Sequence, residues 1–398
     1  MFQHVDPYPG DPILTLNEDF QKDPRAGKIN LSIGIYFDEA GQLPVMGAVR
    51  EAESAMLAHI GPKPYLPMAG LPAYRQAVQE LLFGAGHEAI AAGRIATLQS
   101  VGGSGALKVG GDFLKRYFPQ SQMWVSDPTW DNHRAMFEGA GITVNSYPYY
   151  DPVTGGLRFA EMLAAIDALP ARSIVLLHAC CHNPTGVDLN PAQWDALVAV
   201  IRQRELLPFV DIAYQGFGDG IEEDAYGVRA LTNAGVSFLV ANSFSKSFSL
   251  YGERVGALSV VCPNAAEAAL VLGQLMACVR RIYSNPPSHG AHIVSRVLGS
   301  PALRQSWADE LGAMRQRIKV MRQRLYDGVV ARLPGRDVRY FIDQRGMFSY
   351  TGLSPQQVDV LREQHGVYLL RSGRMCAAGL NANNVDRVAE ALAAVLGA

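Results

Sequence analysis

Val240-Ala241-Asn242-Ser243-Phe244-Ser245-Lys246-Ser247-Phe248-Ser249-Leu250-Tyr251-Gly252-Glu253-Arg254-Val255-Gly256 sets one lysine, Lys246, among small, hydroxyl and aromatic residues, with no acidic neighbour before Glu253. A lysine kept for solubility sits on a charged face. One that reacts as an amine needs a desolvated or cationic surrounding that lowers its ammonium pKa. Arg254 supplies such a cation and is also suited to holding a phosphate. Taken alone, the stretch also reads as a surface lysine in a serine-rich loop.

Outward from Lys246, the pattern is one of buried strands alternating with helices. The strand 236 to 242 delivers the lysine, and 255 to 262 follows as another. Upstream, 206 to 214 (Leu-Leu-Pro-Phe-Val-Asp-Ile-Ala-Tyr) is apolar but for Asp211, a carboxylate that is costly there unless a cation pairs with it. The nearly continuous apolar run 173 to 181 fits a central parallel strand, ending in His182-Asn183-Pro184-Thr185-Gly186. Further strands are expected at 95 to 100, 123 to 126 and 142 to 147. Helices are expected at 72 to 84, 102 to 117, 131 to 139, 159 to 168 and 191 to 205. This rhythm predicts an α/β fold with a mostly parallel central sheet flanked by helices.

Two turns in that series carry polar signals. Val101-Gly102-Gly103-Ser104-Gly105 joins a strand to a helix, so its free N–H groups and the positive helix end suit an anion. It lacks the Gly-Lys-Ser/Thr of a P-loop, and Lys108 stands at the sixth position of G-x-G-x-x-G, so a plain tight turn remains open. Trp130, after Asp127-Pro128-Thr129, is either a core anchor or a stacking plate for a planar ligand. Ligands of open α/β sheets sit beyond the carboxyl ends of the strands. Ser104, Trp130, Asn183, Asp211, Tyr214 and Lys246 all fall on that rim.

The rest of the chain reads as a second, smaller domain and an arm. Residues 1 to 12 are proline-rich with Phe2, Val5 and Tyr8, an extended arm whose apolar residues need a surface, such as a second subunit. A helix at 13 to 22 precedes an alternating strand at 28 to 36, interrupted by Gly34; the glycine permits close approach of a ligand or another backbone, or marks a bulge. A helix at 47 to 59 ends before the proline-rich loop 61 to 67, which exposes Tyr65. Residues 264 to 298 are largely helical, with Arg280-Arg281 just ahead of a break at Asn285-Pro286-Pro287. A long helix at 302 to 332 suits a spine between domains. Strands near 338 to 341 and 347 to 351 and helices at 355 to 365 and 383 to 396 give the tail α+β character. The expected division is an arm at 1–12, a small domain at 13–46 and 311–398, and a large domain at 47–310.

Composition removes several classes. With 398 residues, a formal net charge of -2 and charged residues spread along the chain, there is no basic patch for nucleic acid or anionic membrane. The first residues have neither a cationic start nor an apolar core, and no apolar run is long enough to span a bilayer, so neither a signal peptide nor a membrane span is expected. Five cysteines, an odd number with no C-x-x-C pair, suggest neither a disulfide framework nor a zinc site. A reducing cytoplasm fits, with Cys180 and Cys181 as buried small hydrophobes. No metal is expected.

The rim residues match a planar phosphorylated cofactor that forms an imine with lysine, namely pyridoxal 5'-phosphate. Lys246 would form the imine and, once released, act as the base that moves a proton at the substrate Cα. Asp211 would keep the pyridine nitrogen protonated. Asn183 and Tyr214 would hydrogen-bond the ring oxygen and Trp130 would stack on the ring. Gly103 and Ser104 of the 102 to 105 turn, with Ser243 and Arg254, would bind the phosphate.

The chain resembles the aspartate and aromatic aminotransferases of PLP fold type I. The resemblance spans essentially its whole length through Cys180-Cys181-His182-Asn183-Pro184-Thr185-Gly186, Asp211-Ile-Ala-Tyr214-Gln-Gly-Phe217, Ser243-Phe-Ser-Lys246, Gly252-Glu-Arg254-Val-Gly256, Tyr283-Ser-Asn-Pro-Pro287 and Ser372-Gly-Arg374. Gly-Met-Phe-Ser-Tyr-Thr-Gly at 346 to 352, with Arg374-Met-Cys-Ala-Ala-Gly379-Leu-Asn, is closest to the bacterial aromatic (tyrosine) branch.

The resemblance implies that Arg374 binds the substrate α-carboxylate and Arg280 the side-chain carboxylate, each by a bidentate fork. Gly34, Trp130 and Asn183 complete the substrate-binding set. It also implies a homodimer whose neighbour supplies Tyr65 and Arg280 to the site. His133 would be either a partner of Asp211 or a satisfied core histidine. The expected activity is transfer of the amino group of aromatic and dicarboxylic amino acids to 2-oxoglutarate by a ping-pong mechanism. A strict aspartate aminotransferase and, in another class, a PLP-binding regulatory module are the alternatives. A regulator of that kind carries a helix-turn-helix extension ahead of the cofactor domain, and a decarboxylase has no use for a site that retains the α-carboxylate.

Overall fold

The computed structural model describes residues 1–8, 10–58 and 60–397. Its main feature is a seven-stranded sheet running Ile95–Val101, Val255–Val261, Phe238–Ser243, Leu207–Ile212, Ile174–His178, Met123–Asp127, Val144–Pro148 across its width. Val255–Val261 is antiparallel to both neighbours, and the other pairings are parallel. The expected α/β class with a mostly parallel sheet is therefore what the chain adopts. Central strands buried on both faces explain the apolar runs at 174–178 and 207–212, because helices cover each side.

The helices between strands start where local chemistry sets them. Pro191–Gln203 opens with proline in its first turn and a reciprocal capping box between Asn190 and Gln193, which satisfies donors that would otherwise be orphaned. Gly102–Tyr117 packs its buried face, including Ala106, Leu107 and Val109, into the core formed with Phe209, Leu239 and Leu258. The helices Glu88–Ala91 and Tyr226–Asn233 are additional to those expected from the sequence. In the second of these Gly227 lies on the buried face, where Trp194 packs so closely that an added Cβ would lie 2.5 Å from its Cε2.

The chain divides into two compact units, one of residues 44–317 and the other of 1–43 with 318–398; the helix Pro301–Arg332 passes through the division. In the second unit, Ile29–Asn30 pairs in parallel with Val367–Tyr368, and Arg374–Cys376 pairs antiparallel with Phe348–Tyr350. The strand expected over 28 to 36 is thus only two residues long. The Asn30 side chain accepts from both Ser32 N (3.0 Å) and Ser32 Oγ (2.6 Å), which turns the chain away from the ladder. The strand expected near 338 to 341 is instead the short helix Tyr340–Asp343, entered by a turn in which Asp337 accepts from Arg339 N. The helix expected at 47 to 59 is Gly47–Leu57, and its predicted last residue lies outside the described residues. Among the described residues no helix is long and apolar enough to cross a membrane.

Candidate active site

Ser104, Trp130, Asn183, Tyr214 and Lys246 each lie a few residues beyond the C-terminal end of a strand of the large sheet, these strands all running in one direction, and Asp211 is the last residue but one of its own strand. Parallel strands that end together bring these side chains to one rim although they are far apart in sequence. Lys246 sits in a tight turn fixed by Phe248 N donating to Phe244 O (3.2 Å) and Ser249 N donating to Lys246 O (3.1 Å). Its Nζ lies 5.0 Å from the centre of the Tyr214 ring. Phe244 and Phe248 are fully buried beneath the turn, and Trp307 stacks on Phe248 while donating its Nε1–H to Ser247 O at 2.6 Å. The phenylalanines that flank the lysine in sequence are therefore part of the packing that holds its backbone, while Tyr214 stands against its amine.

Asp211 is the buried carboxylate anticipated, and its partner is His133. His133 Nε2 lies 2.9 Å from Asp211 Oδ2, and His133 Nδ1 lies 2.8 Å from Thr129 Oγ1. In the neutral tautomer that donates to Asp211, the other ring nitrogen accepts the threonine hydroxyl. Burial alone would raise the Asp211 pKa, but the His133 hydrogen bond and the nearby Lys246 ammonium outweigh it, so the carboxyl stays below its ordinary range. The site thus holds an anion in a buried place where a cationic N–H is its natural complement. Trp130 is half-buried at the start of the helix Asp131–Glu138, edge-on to His133 at 5.2 Å and packed against the core.

The glycine turn, Ser243 and Arg254 converge. A Cβ on Gly102 would fall 2.5 Å from Arg254 Nη2, and one on Gly103 would fall 3.2 Å from Ser243 Cβ. Arg254 is held by donation from Nη1 to Tyr251 O (3.0 Å) and Ser245 Oγ (3.3 Å). A guanidinium, serine hydroxyls and the N-terminus of Gly102–Tyr117 meet over a surface without side chains, which suits a phosphate. Asn183 is buried just after a turn pinned by Asp188, whose carboxylate accepts from Cys181 N (2.6 Å) and His182 N (2.8 Å).

Tyr65 and Arg280 stand apart from this cluster. Tyr65 is 90% exposed in its loop, and Arg280 is exposed at the end of the helix Ala265–Ile282 with its Nη1 on Ser284 Oγ. In the other unit, Arg374 is buried with its guanidinium 4.5 Å over the Phe348 ring and Nη2 donating to Ser32 O at 2.8 Å. Gly34 belongs to the same cluster, where an added Cβ would meet Phe348 Cζ at 2.9 Å. The close approach that requires a glycine there is that of the Phe348 ring. All five cysteines are buried thiols outside any disulfide, Cys180 and Cys181 included.

Two further histidines line the site behind Asp211: His178, the polar residue within the apolar run, and His182, which follows it. His178 lies tilted between His133 (5.2 Å) and His182 (4.3 Å), and Tyr149 stacks on His182 at 4.1 Å. His182 is held between Ser126 Oγ and Thr185 Oγ1, both at 2.8 Å. Burial, then the neighbouring His133, depresses His178 to a pKa of about 3 against the opposing pull of Asp211. Burial likewise keeps His182 neutral, so the two histidines behind Asp211 add packed bulk without charge.

With this geometry in view, the comparisons agree with one another. Residues 26–392 match the family model for aminotransferase class I and II. The chain is 60% identical over 397 residues to the aromatic-amino-acid aminotransferase of Escherichia coli and 52% identical over 396 residues to an aspartate aminotransferase of Pseudomonas aeruginosa, covering 100% of both chains each time. Its fold is similar, with a TM-score of 0.98 and 53% identity over 100% of this chain and 99% of the other, to an aromatic-amino-acid aminotransferase from Burkholderia pseudomallei whose structure is described as covalently bound to pyridoxal phosphate. A reactive-lysine turn, a buried anionic aspartate and a phosphate cradle on one sheet rim, carried by a chain matched end to end, place this protein in the class I and II aminotransferase family.

Proposed function

We propose that this protein is a pyridoxal-phosphate-dependent aminotransferase that moves the amino group of tyrosine, phenylalanine and the dicarboxylic amino acids to 2-oxoglutarate in two half-reactions. The observation that carries the reading is that Lys246 and Asp211, on adjacent parallel strands, share one rim of the large sheet with the Gly102–Arg254 cradle. The residues fit the cofactor: the cradle takes its phosphate, and the buried anionic Asp211 complements a protonated ring nitrogen. When bound, the cofactor supplies an electron-accepting ring joined to the amino group that is transferred.

This chain's own residues do the rest. Asp211, oriented by His133, holds the proton on the ring nitrogen. Gly103, Ser104, Ser243 and Arg254 anchor the phosphate, together with Tyr65 contributed by a second copy of the chain. Trp130 covers the ring face, and Asn183 and Tyr214 hydrogen-bond its oxygen. Lys246 would be the base that takes the proton from the substrate Cα and gives it up on the far side of the transferred nitrogen. Arg374 takes the α-carboxylate, with Gly34, Trp130 and Asn183 beside the substrate. Arg280, also from the second copy, takes the distal carboxylate, while an aromatic ring needs only apolar walls and can stack on the guanidinium. The protein acts as a homodimer, in the cytoplasm.

The deciding substitution is Lys246→Ala. It should leave a folded protein that binds the cofactor without the visible absorption of a lysine imine and has no turnover. A purified variant that kept both the absorption and the activity would remove Lys246 from this role. The similarity to an aspartate aminotransferase supports one second reading, a strict dicarboxylate enzyme.

A further inference from the structure

Gln99 is fully buried on the strand Ile95–Val101, three residues before the glycine turn. Each polar group of its side chain is committed to a different loop. Oε1 accepts from Leu71 N at 3.1 Å, and Nε2 donates to Pro287 O at 2.6 Å. Its backbone N–H also donates to Ala69 O at 3.0 Å, and Gly70 lies so close, at φ +86°, that an added Cβ would fall 2.2 Å from Gln99 Cβ. The first loop follows Tyr65, and the second follows Arg280.

The second loop reaches Arg280 through a short path. Pro287 ends the segment that begins at Ser284, a non-glycine residue at φ +69° whose hydroxyl receives Arg280 Nη1. A residue held in the left-handed region persists only when its surroundings fix it. Pro287 is fixed by Gln99.

We propose that Gln99 is a positioning residue for substrate selection: its amide holds the Ser284–Pro287 segment so that Arg280 is aimed at a distal carboxylate, and separately ties down the loop that carries Tyr65. This rests on the reading of Arg280 given above. The two ends of one amide serve two tasks, so they can be separated. Gln99→Glu keeps an acceptor for Leu71 N but, as a carboxylate, offers no donor to Pro287 O. Gln99→Leu removes both.

The test compares kcat/KM for aspartate and phenylalanine, calorimetric binding of a four-carbon dicarboxylate inhibitor, and the cofactor dissociation rate in the wild type, both Gln99 variants, Ser284→Ala and Arg280→Ala. Gln99→Glu should lose about tenfold, the scale of one hydrogen bond left unmade, on aspartate and on the inhibitor, mostly through KM, with phenylalanine within about threefold and cofactor release unchanged. Gln99→Leu should add faster cofactor release, and Ser284→Ala should shift the aspartate to phenylalanine ratio in the same direction. Equal losses on both substrates in the Gln99 variants, or a lower melting temperature with an unchanged ratio, would overturn the proposal while leaving Arg280 in place. If Arg280→Ala itself lost both substrates equally, the reading of Arg280 would fall and this one with it.

Discussion

Asp211 shows what a single residue can be asked to do. A carboxylate in a strand interior survives because His133 donates to it and nearby positive charge favours the anion. Since phosphate contacts anchor the cofactor, Asp211→Ala should cost kcat about a hundredfold, on the order of 3 kcal/mol, while cofactor affinity changes much less. A kcat within a few-fold of wild type with collapsed cofactor affinity would reverse that assignment. The lowered pKa also fixes a sign. A carboxyl depressed in the folded state contributes stability above its unfolded pKa of about 3.9 and loses it as pH falls through the lower folded value. The melting-temperature advantage of wild type over Asp211→Asn should therefore be constant near neutrality and shrink below about pH 4; an advantage that grew on acidification would contradict the direction of the shift.

At the scale of elements, the phosphate turn and the strand Val255–Val261 meet through a glycine. A Cβ on Gly256 would lie 2.5 Å from the carbonyl carbon of Gly102 and 2.7 Å from Asn242 O, both backbone atoms that cannot swing aside. Gly256→Ala should push the turn off the strand at a cost of about 1–3 kcal/mol, read as a lower melting temperature, and weaken cofactor binding about tenfold. Unchanged cofactor affinity would show that the turn tolerates the displacement. The strands of this sheet were legible because burial on both faces leaves long apolar runs, as at 174–178, and the rim followed from where those runs end. The second unit was less legible. Its strands are two or three residues long, so local side-chain turns such as Asn30 on Ser32 outweigh alternation, and Val338 to Phe341 coils into a helical turn despite its β-branched and aromatic residues. His178 and Gln99 are not legible as functional residues for a different reason, since their partners lie in other elements, His133 beside one and Leu71 and Pro287 on the other, and local spacing does not reveal these pairings.

For the molecule as a whole, both units expose large apolar side chains, among them Phe2, Val5 and Tyr8 in the first residues and Leu57, Ile60 and Tyr65 ahead of the helix Pro72–Phe83. Apolar exposure of this kind marks surfaces that another chain covers. The proposed homodimer should give a light-scattering mass of twice 43.1 kDa at micromolar concentration. Mixing Arg280→Ala with Lys246→Ala chains should then restore part of the activity on aspartate that each variant lacks, because one hybrid site would carry both native residues. A monomeric mass, or no restoration on mixing, would count against shared sites. The central claim, that one pocket serves both substrate types, is tested most directly by kcat/KM for tyrosine, phenylalanine and aspartate with 2-oxoglutarate as acceptor, in wild type and Arg280→Ala. The account predicts turnover of all three by the wild type and a loss of about 3 kcal/mol in kcat/KM confined to aspartate in the variant; a wild type that leaves tyrosine and phenylalanine untouched would contradict it.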